Sequence, residues 1–427
     1  MTDGPGPRRP PFRQEVRPAL GRAADQAVIG IHLLRWVALG AVSGVLAGVS
    51  SWVFLRVLDE VTETRVDEPW LLYLLPVAGL VVGAVYHWFG GRSAQGNSLL
   101  IDQIHEPTDW VPRRMAPLVL VGTWVTHLFG GSAGREGTAL QMSGSLTDAA
   151  SRVLRLPPED RRIVLAASLG GGFGAVFGVP LAGAVFAMEV QSVGRLRYEA
   201  IVPALTAALV GDLVVEGLGY EHTLRPQIGI DLDAGLALRV ALAGVAFGLA
   251  GAAFAWLTHR IKAVMSRWVR FAPARTAIGG VAVVGLVLLF GREYLGLSLP
   301  LVDQALAGES AAIWVFALKI LFTAVTLGAG FPGGEVTPLF VIGTTLGSAL
   351  ADPLDLDPVL LAAVGFVAVF AGAANVPLAC TIMGVELFGA GPVVPLAIGC
   401  VVAYVCSGHQ GIYTTQRVDT PKRPVRR

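Results

Sequence analysis

Apolar blocks that begin near Ile29, Trp70, Met115, Ile163, Ile201, Leu236, Thr276, Ile313, Val336, Val359 and Val393 fill the chain between two polar ends. A chain built this way cannot cover itself in water. The AVILMFWYC set makes up 54% of the 427 residues and charged residues 15%, whereas a soluble domain carries about 25% charge. Mean hydropathy is +0.63. In lipid every backbone group must be satisfied internally, and segments this apolar do so as helices. We therefore expect an all-α polytopic membrane protein with the lipid bilayer as its surroundings. Lys+Arg 32 against Asp+Glu 31 leaves a net charge of +1, so no bulk charge points to nucleic acid. Cys380, Cys400 and Cys406 lie in apolar segments, which argues against a disulfide framework and a metal site. No HExxH, Walker or dinucleotide motif occurs, and no cofactor is expected.

Some blocks reach the roughly 20 residues that a spanning helix needs, and others are too short. Glycine clusters interrupt many of them, at Gly130-Gly131, Gly170 to Gly172 and Gly328 to Gly334. The chain has 53 Gly and 26 Pro, above the usual usage of about 7% and about 5%. That suits helices that break inside the membrane and line a cavity with their ends.

The chain also repeats itself. Gly134-Arg-Glu-Gly-Thr-Ala-Leu140 matches Gly333-Gly-Glu-Val-Thr-Pro-Leu339, Val179-Pro-Leu-Ala182 matches Val376-Pro-Leu-Ala379, and Glu189 matches Glu386, all at nearly one offset. We expect a polar tail over 1–28, a first membrane repeat over 29–218, a linker over 219–233, a second repeat over 234–413 and a basic tail over 414–427. Arginines in the first tail, and Arg417 and Lys422 in the second, put both ends in the cytoplasm by the positive-inside rule.

Glu136 is the sharpest single residue. An ionised carboxylate in otherwise apolar sequence must face a cavity. A helix starting near Gly137 would stabilise it with free N–H groups, and would equally stabilise an anion in its place. The carboxylate then competes with the anion and leaves when protonated, which makes it gate and proton carrier in one. The bland alternative is an ion pair with Arg135. Glu335 takes the corresponding place in the second repeat as a candidate proton or anion relay, or as a capping residue. Thr138, Val336 and Thr337 would stand at helix mouths, while Asn97 and Ser98 serve as helix caps or as anion ligands. Lys319 is a candidate counter-charge or a snorkelling lysine. Glu189 and Glu386 read as structural pairing residues. Gly130-Gly-Ser132-Ala-Gly134 fits a serine-nucleophile pattern, with His127 as the only nearby base.

Together these residues resemble the CLC family of anion channels and proton-coupled antiporters. Gly134-Arg-Glu-Gly137 is similar to its gating-glutamate motif, and Lys319 falls where the family has lysine. The resemblance implies two inverted-topology repeats of tilted and broken helices, a homodimer with two pores, and a transporter rather than an enzyme. Departures within it favour one branch. Gly96-Asn-Ser-Leu-Leu100 replaces the chloride loop, Thr138 follows the gating motif in place of Pro, and Val336 stands in place of an aromatic residue. Val190 occupies the position of a second, inner glutamate. This set resembles the fluoride/proton antiporter branch, CLC-F. It implies fluoride export against protons across a bacterial inner membrane, with Glu136 as gate. Asn97, Ser98, Gly137, Thr138, Val336, Thr337 and Tyr413 are then the anion-binding set. The alternative is a chloride channel or chloride/proton antiporter of the same fold, with an intramembrane serine hydrolase using Ser132 as a distant third.

Overall fold

The computed structural model describes residues 19–422 apart from 224 and 231. Arg8, Arg9, Arg13 and Arg17, with Arg423, Arg426 and Arg427, lie outside the described residues, so most of the tail charge does too.

One series of helices runs through the chain twice. The first series is α1 (Ala19–Asp67), α2 (Leu75–Val85), α3 (Asn97–His105), α4 (Met115–Leu128), α5 (Glu136–Val153), α6 (Pro158–Phe177), α7 (Pro180–Glu189) and α8 (Ile201–Gly217). The second is α9 (Ala234–Trp268), α10 (Ala272–Phe290), α11 (Leu299–Leu306), α12 (Val315–Ala329), α13 (Val336–Leu354), α14 (Pro358–Ala374), α15 (Pro377–Phe388) and α16 (Val393–Cys406). The packing repeats with the order. Helix α1 lies against α4, α5, α6 and α8, and α9 lies against α12, α13, α14 and α16. Equivalent helices also meet across the middle, α2 on α10 and α7 on α15.

Local chemistry explains the breaks. Pro158, Pro180, Pro358 and Pro377 each open a helix, where a missing N–H costs nothing. Helix α6 ends on Gly178 and α14 on Asn375, both left-handed. Between helices, small residues replace side-chain packing with backbone contact. A methyl added at Gly44 would lie 2.7 Å from the Ala207 carbonyl oxygen, and one at Gly48 2.6 Å from that of Gly211. The second repeat does the same, with Gly248 against Ala403 at 2.6 Å.

Among the described residues, five stretches are long and apolar enough to cross a membrane: 28–67, 69–105, 198–217, 234–268 and 272–290. Helices α4, α7, α12, α14, α15 and α16 are apolar but short, as the glycine-interrupted blocks predict. The described residues also hold a short strand pair: Ser192–Val193 (β1) pairs in parallel with Arg417–Val418 (β2). This ties the end of the chain to the loop after α7.

Candidate functional site

The two repeats meet where their glycine loops touch. Gly134 N–H donates to the Gly334 carbonyl at 2.7 Å, and Gly334 N–H donates to that of Gly134 at 2.8 Å. The bridge is antiparallel, so the loops approach from opposite directions. It also corrects the register. The motif match pairs Glu136 with Glu335, but the bridge pairs 134 with 334, and the starts of α6 and α14 pair 158 with 358. In space the counterpart of Glu136 is Val336, and Glu335 is the counterpart of Arg135. A shared Glu in the text had shifted the alignment by one residue.

Glu136 is fully buried at the first position of α5. Its carboxylate bridges the start of its own helix and the start of α13. Oε2 accepts from Thr337 N–H at 3.0 Å and from Arg135 N–H at 3.1 Å, and Oε1 accepts from the Thr337 hydroxyl. The expected stabilisation at its own helix start is present in the Arg135 N–H, and α13 of the other repeat adds the Thr337 amide and hydroxyl across the Gly134–Gly334 bridge. Arg135 Nε stands 4.0 Å from Oε1, too far for a hydrogen bond. The ion-pair alternative is thus a loose contact beside a tight one.

Two cavities flank this point. The smaller, about 30 Å³, is lined by Arg135, Thr337, Phe340 and the linker residues His222, Thr223 and Arg225. The larger, about 770 Å³, is lined by Gly96, Asn97, Ser98, Glu335, Tyr413 and Thr414 among others. Thr337 lines the first and Glu335 the second, and Glu136 is bonded to Thr337 between them.

The remaining expected residues divide. The Asn97 Oδ1 and Tyr413 Oη atoms are buried with no hydrogen-bond partner among the described residues. The Asn97 amide nitrogen approaches Gly137, lying 3.3 Å from where a methyl there would sit. Tyr413 lies within electrostatic reach of Glu136 and Glu335 and sets its ring edge-on to Phe186. Glu335 stands at the cap position of α13 but makes no side-chain capping bond, so the capping box is absent and its carboxylate faces the larger cavity. Val336 is buried in the first turn of α13.

Other hydroxyls are already engaged. Thr138 Oγ1 lies 2.6 Å from Thr123 Oγ1 of α4. Ser98 pairs with Thr414 at 3.1 Å, and α3 is capped by Gly96 in a positive-φ conformation instead of by Asn97 or Ser98. Lys319 does not snorkel. Its buried Nζ donates to Ser132 Oγ, Ser298 Oγ and the carbonyls of Tyr294 and Gly296 at 2.9–3.2 Å. Both His127 ring nitrogens lie against backbone carbonyls, of Thr123 at 2.9 Å and Ala133 at 3.1 Å. His127 is thus engaged with backbone and not with Ser132, so the hydrolase reading lacks the base it needed.

Glu189 and Glu386 pair, but with each other's helices. Glu189 accepts from the N–H groups of Leu378 and Ala379 at 3.1 and 2.8 Å, at the start of α15. Glu386 accepts from those of Leu181 and Ala182, both at 2.8 Å, at the start of α7. Sequence reasoning missed Thr123, His222 and Arg225. A hydroxyl in apolar α4 was a visible signal, but nothing in the linker text marked His222, Thr223 and Arg225 as cavity lining.

The chain matches the voltage-gated chloride channel family over residues 78–408. It is 46% identical to a "Chloride/fluoride channel protein" of Pseudomonas syringae pv. tomato, covering 94% of this chain and 90% of that one. This is a CLC protein. A solved CLC-type fluoride/proton antiporter superposes with a TM-score of 0.88 at 34% identity, covering 91% of this chain and 99% of that one. A slow cyanobacterial chloride/proton antiporter superposes with a TM-score of 0.78 at 20% identity, covering 89% and 96%, a likeness of fold. The proton/chloride exchange transporter of Vibrio vulnificus is 26% identical over 87% of this chain and 86% of its own. Membership makes this CLC chain a membrane transport protein and not an enzyme.

Proposed function

We propose that this CLC chain exchanges fluoride for protons, with Glu136 as gate and proton carrier. One observation carries the reading: the Glu136 carboxylate fills the N-terminal mouth of α13, held by the Thr337 amide and hydroxyl, between two cavities. Donors that hold a carboxylate there will hold a small anion once the carboxyl is protonated and leaves. Each anion that passes then requires a proton on Glu136, which couples the fluxes in opposite directions. The choice of fluoride draws on the two most similar proteins described above, one named for chloride and fluoride and one for fluoride/proton antiport. Chloride exchange is the second reading, since chloride exchangers share the fold.

The larger cavity is the inner vestibule in this reading. Asn97 and Tyr413 line the anion's inner approach, and Gly137 and Val336 stand at the helix starts beside Glu136. Glu335, facing the same cavity, relays protons that chloride exchangers pass to the glutamate replaced here by Val190. Ser98 and Thr138 serve the site through Thr414 and Thr123, and Lys319 is a buried positive charge behind Ser132. The repeats run over 29–218 and 234–413, both tails lie in the cytoplasm, and the working form in the bacterial inner membrane is a homodimer.

The test is efflux from loaded liposomes with a pH electrode in the bath. Fluoride should leave much faster than chloride and draw protons inward, and Glu136→Gln should abolish that proton movement. Proton uptake at the wild-type ratio in Glu136→Gln would overturn the gate assignment, and equal chloride flux would overturn the substrate.

A further inference from the structure

Away from the transport route, a cavity of about 160 Å³ opens beside β1, lined by His105, Arg162, Gln191, Arg197, Glu199 and Arg417 among others. Its charges are not paired off. Arg162 and Arg197 share Glu199 at 3.8 and 4.0 Å, and Arg195 and Arg197 share Asp419, each at 3.7 Å. All four contacts are longer than a hydrogen bond, so the guanidinium donors point at the acids without being bound by them. Only Arg417 is closely paired, with Glu106 at 2.5 Å. Arg197 Nε is buried with no partner at all among the described residues. A buried guanidinium nitrogen left this way is costly unless something else meets it.

The geometry points to a binding site for a phosphate group at this cavity. Three arginines from three separate elements converge on one small polar space, and planar guanidinium forks match the oxygens of a phosphate group. Its level in the protein favours a phospholipid headgroup as the source. Glu199 and Ala200 belong to the start of the span 198–217. Tyr198 is 63% exposed, and Ile201 beside it is 45% exposed. An exposed aromatic next to an apolar helix end is the pattern of a membrane interface, and basic pockets between helices at that level take anionic headgroups. A bound phosphate would join α6, the loop after α7 and the strand carrying Arg417. Gln416, next to Arg417, donates to the Val190 and Ala374 carbonyls, so the ligand would also steady the segment that presents Tyr413.

The test is thermal unfolding of the whole protein in neutral detergent, titrated separately with phosphatidylglycerol and with inorganic phosphate. The wild type should gain stability with phosphatidylglycerol, by the linkage that any native-state ligand obeys. Arg162→Gln with Arg197→Gln should weaken apparent binding by about fivefold for each arginine removed. Arg417→Gln, whose strand pairing uses backbone only, is the second variant should the double one not fold. Arg35→Gln, an exposed arginine paired with Asp160 outside the cavity, should respond like the wild type. A gain with lipid alone assigns the site to a headgroup, and a gain with both assigns it to phosphate from either source. No gain in the wild type, or equal gains in Arg417→Gln and the wild type, would overturn the site.

Discussion

Glu136 and Thr337 come 201 residues apart in the chain and make the contact on which the proposed exchange rests. In Thr337→Val the shape stays and the hydroxyl donor goes. A hydrogen bond to a charged group is worth about 1.5–3 kcal/mol, so we expect fluoride affinity to fall about tenfold to a hundredfold while the protein still folds. Concentration dependence of fluoride efflux measures this, and unchanged half-saturation would take Thr337 out of the site. Glu335 makes a different prediction, because it lines the larger cavity without a capping role. Glu335→Gln should lower proton-coupled flux more than it lowers stability. Full coupled flux in that variant would return Glu335 to lining only. Much of this was legible from text alone: a lone carboxylate in apolar sequence must have a functional reason. Two things were not. Which helix holds the carboxylate depends on a loop crossing between repeats, and Thr138's engagement with Thr123 depends on the facing of α4, neither of which local sequence encodes.

At the scale of elements, α7 and α15 exchange caps. Each ends in a glutamate that satisfies the free N–H groups beginning the other. Such a cap is worth about 0.5–2 kcal/mol, and the two should differ. Glu189 is 7% exposed, so water cannot replace it, whereas Glu386 is partly open. Glu189→Ala should therefore lower the unfolding temperature more than Glu386→Ala. The reverse order would mean that the exchange is not what holds these helices. The pairing of both glutamates was readable from their matched positions, but its reciprocity was not. Helix existence and order followed from apolar blocks and Pro or Gly punctuation, since those act within one turn. The register did not, because a chance Glu at 335 outweighed a bridge that only folding makes.

For the whole molecule, the sharpest check of orientation is the placing of the tails. Protease added to inside-out vesicles should remove epitope tags fused to both ends, and right-side-out vesicles should protect them. A tag cut only from right-side-out vesicles would contradict cytoplasmic tails. Crosslinking in the bilayer should also yield a band of twice the monomer mass, and a monomer alone would set aside the homodimer.

The Gly134–Gly334 bridge carries one more consequence. Two identical half-chains placed about that point would present the same residue at 136 and at 336. Glutamate at both would bring two negative charges together at one narrow place, and valine at both would leave nothing to stop the leak. Neither symmetrical solution works. Joining the halves in one polypeptide allows the two places to differ, and they do: acid on one side, hydrocarbon on the other. The copy was useful for building the frame, and the departure from the copy is where a direction of travel could be written into it.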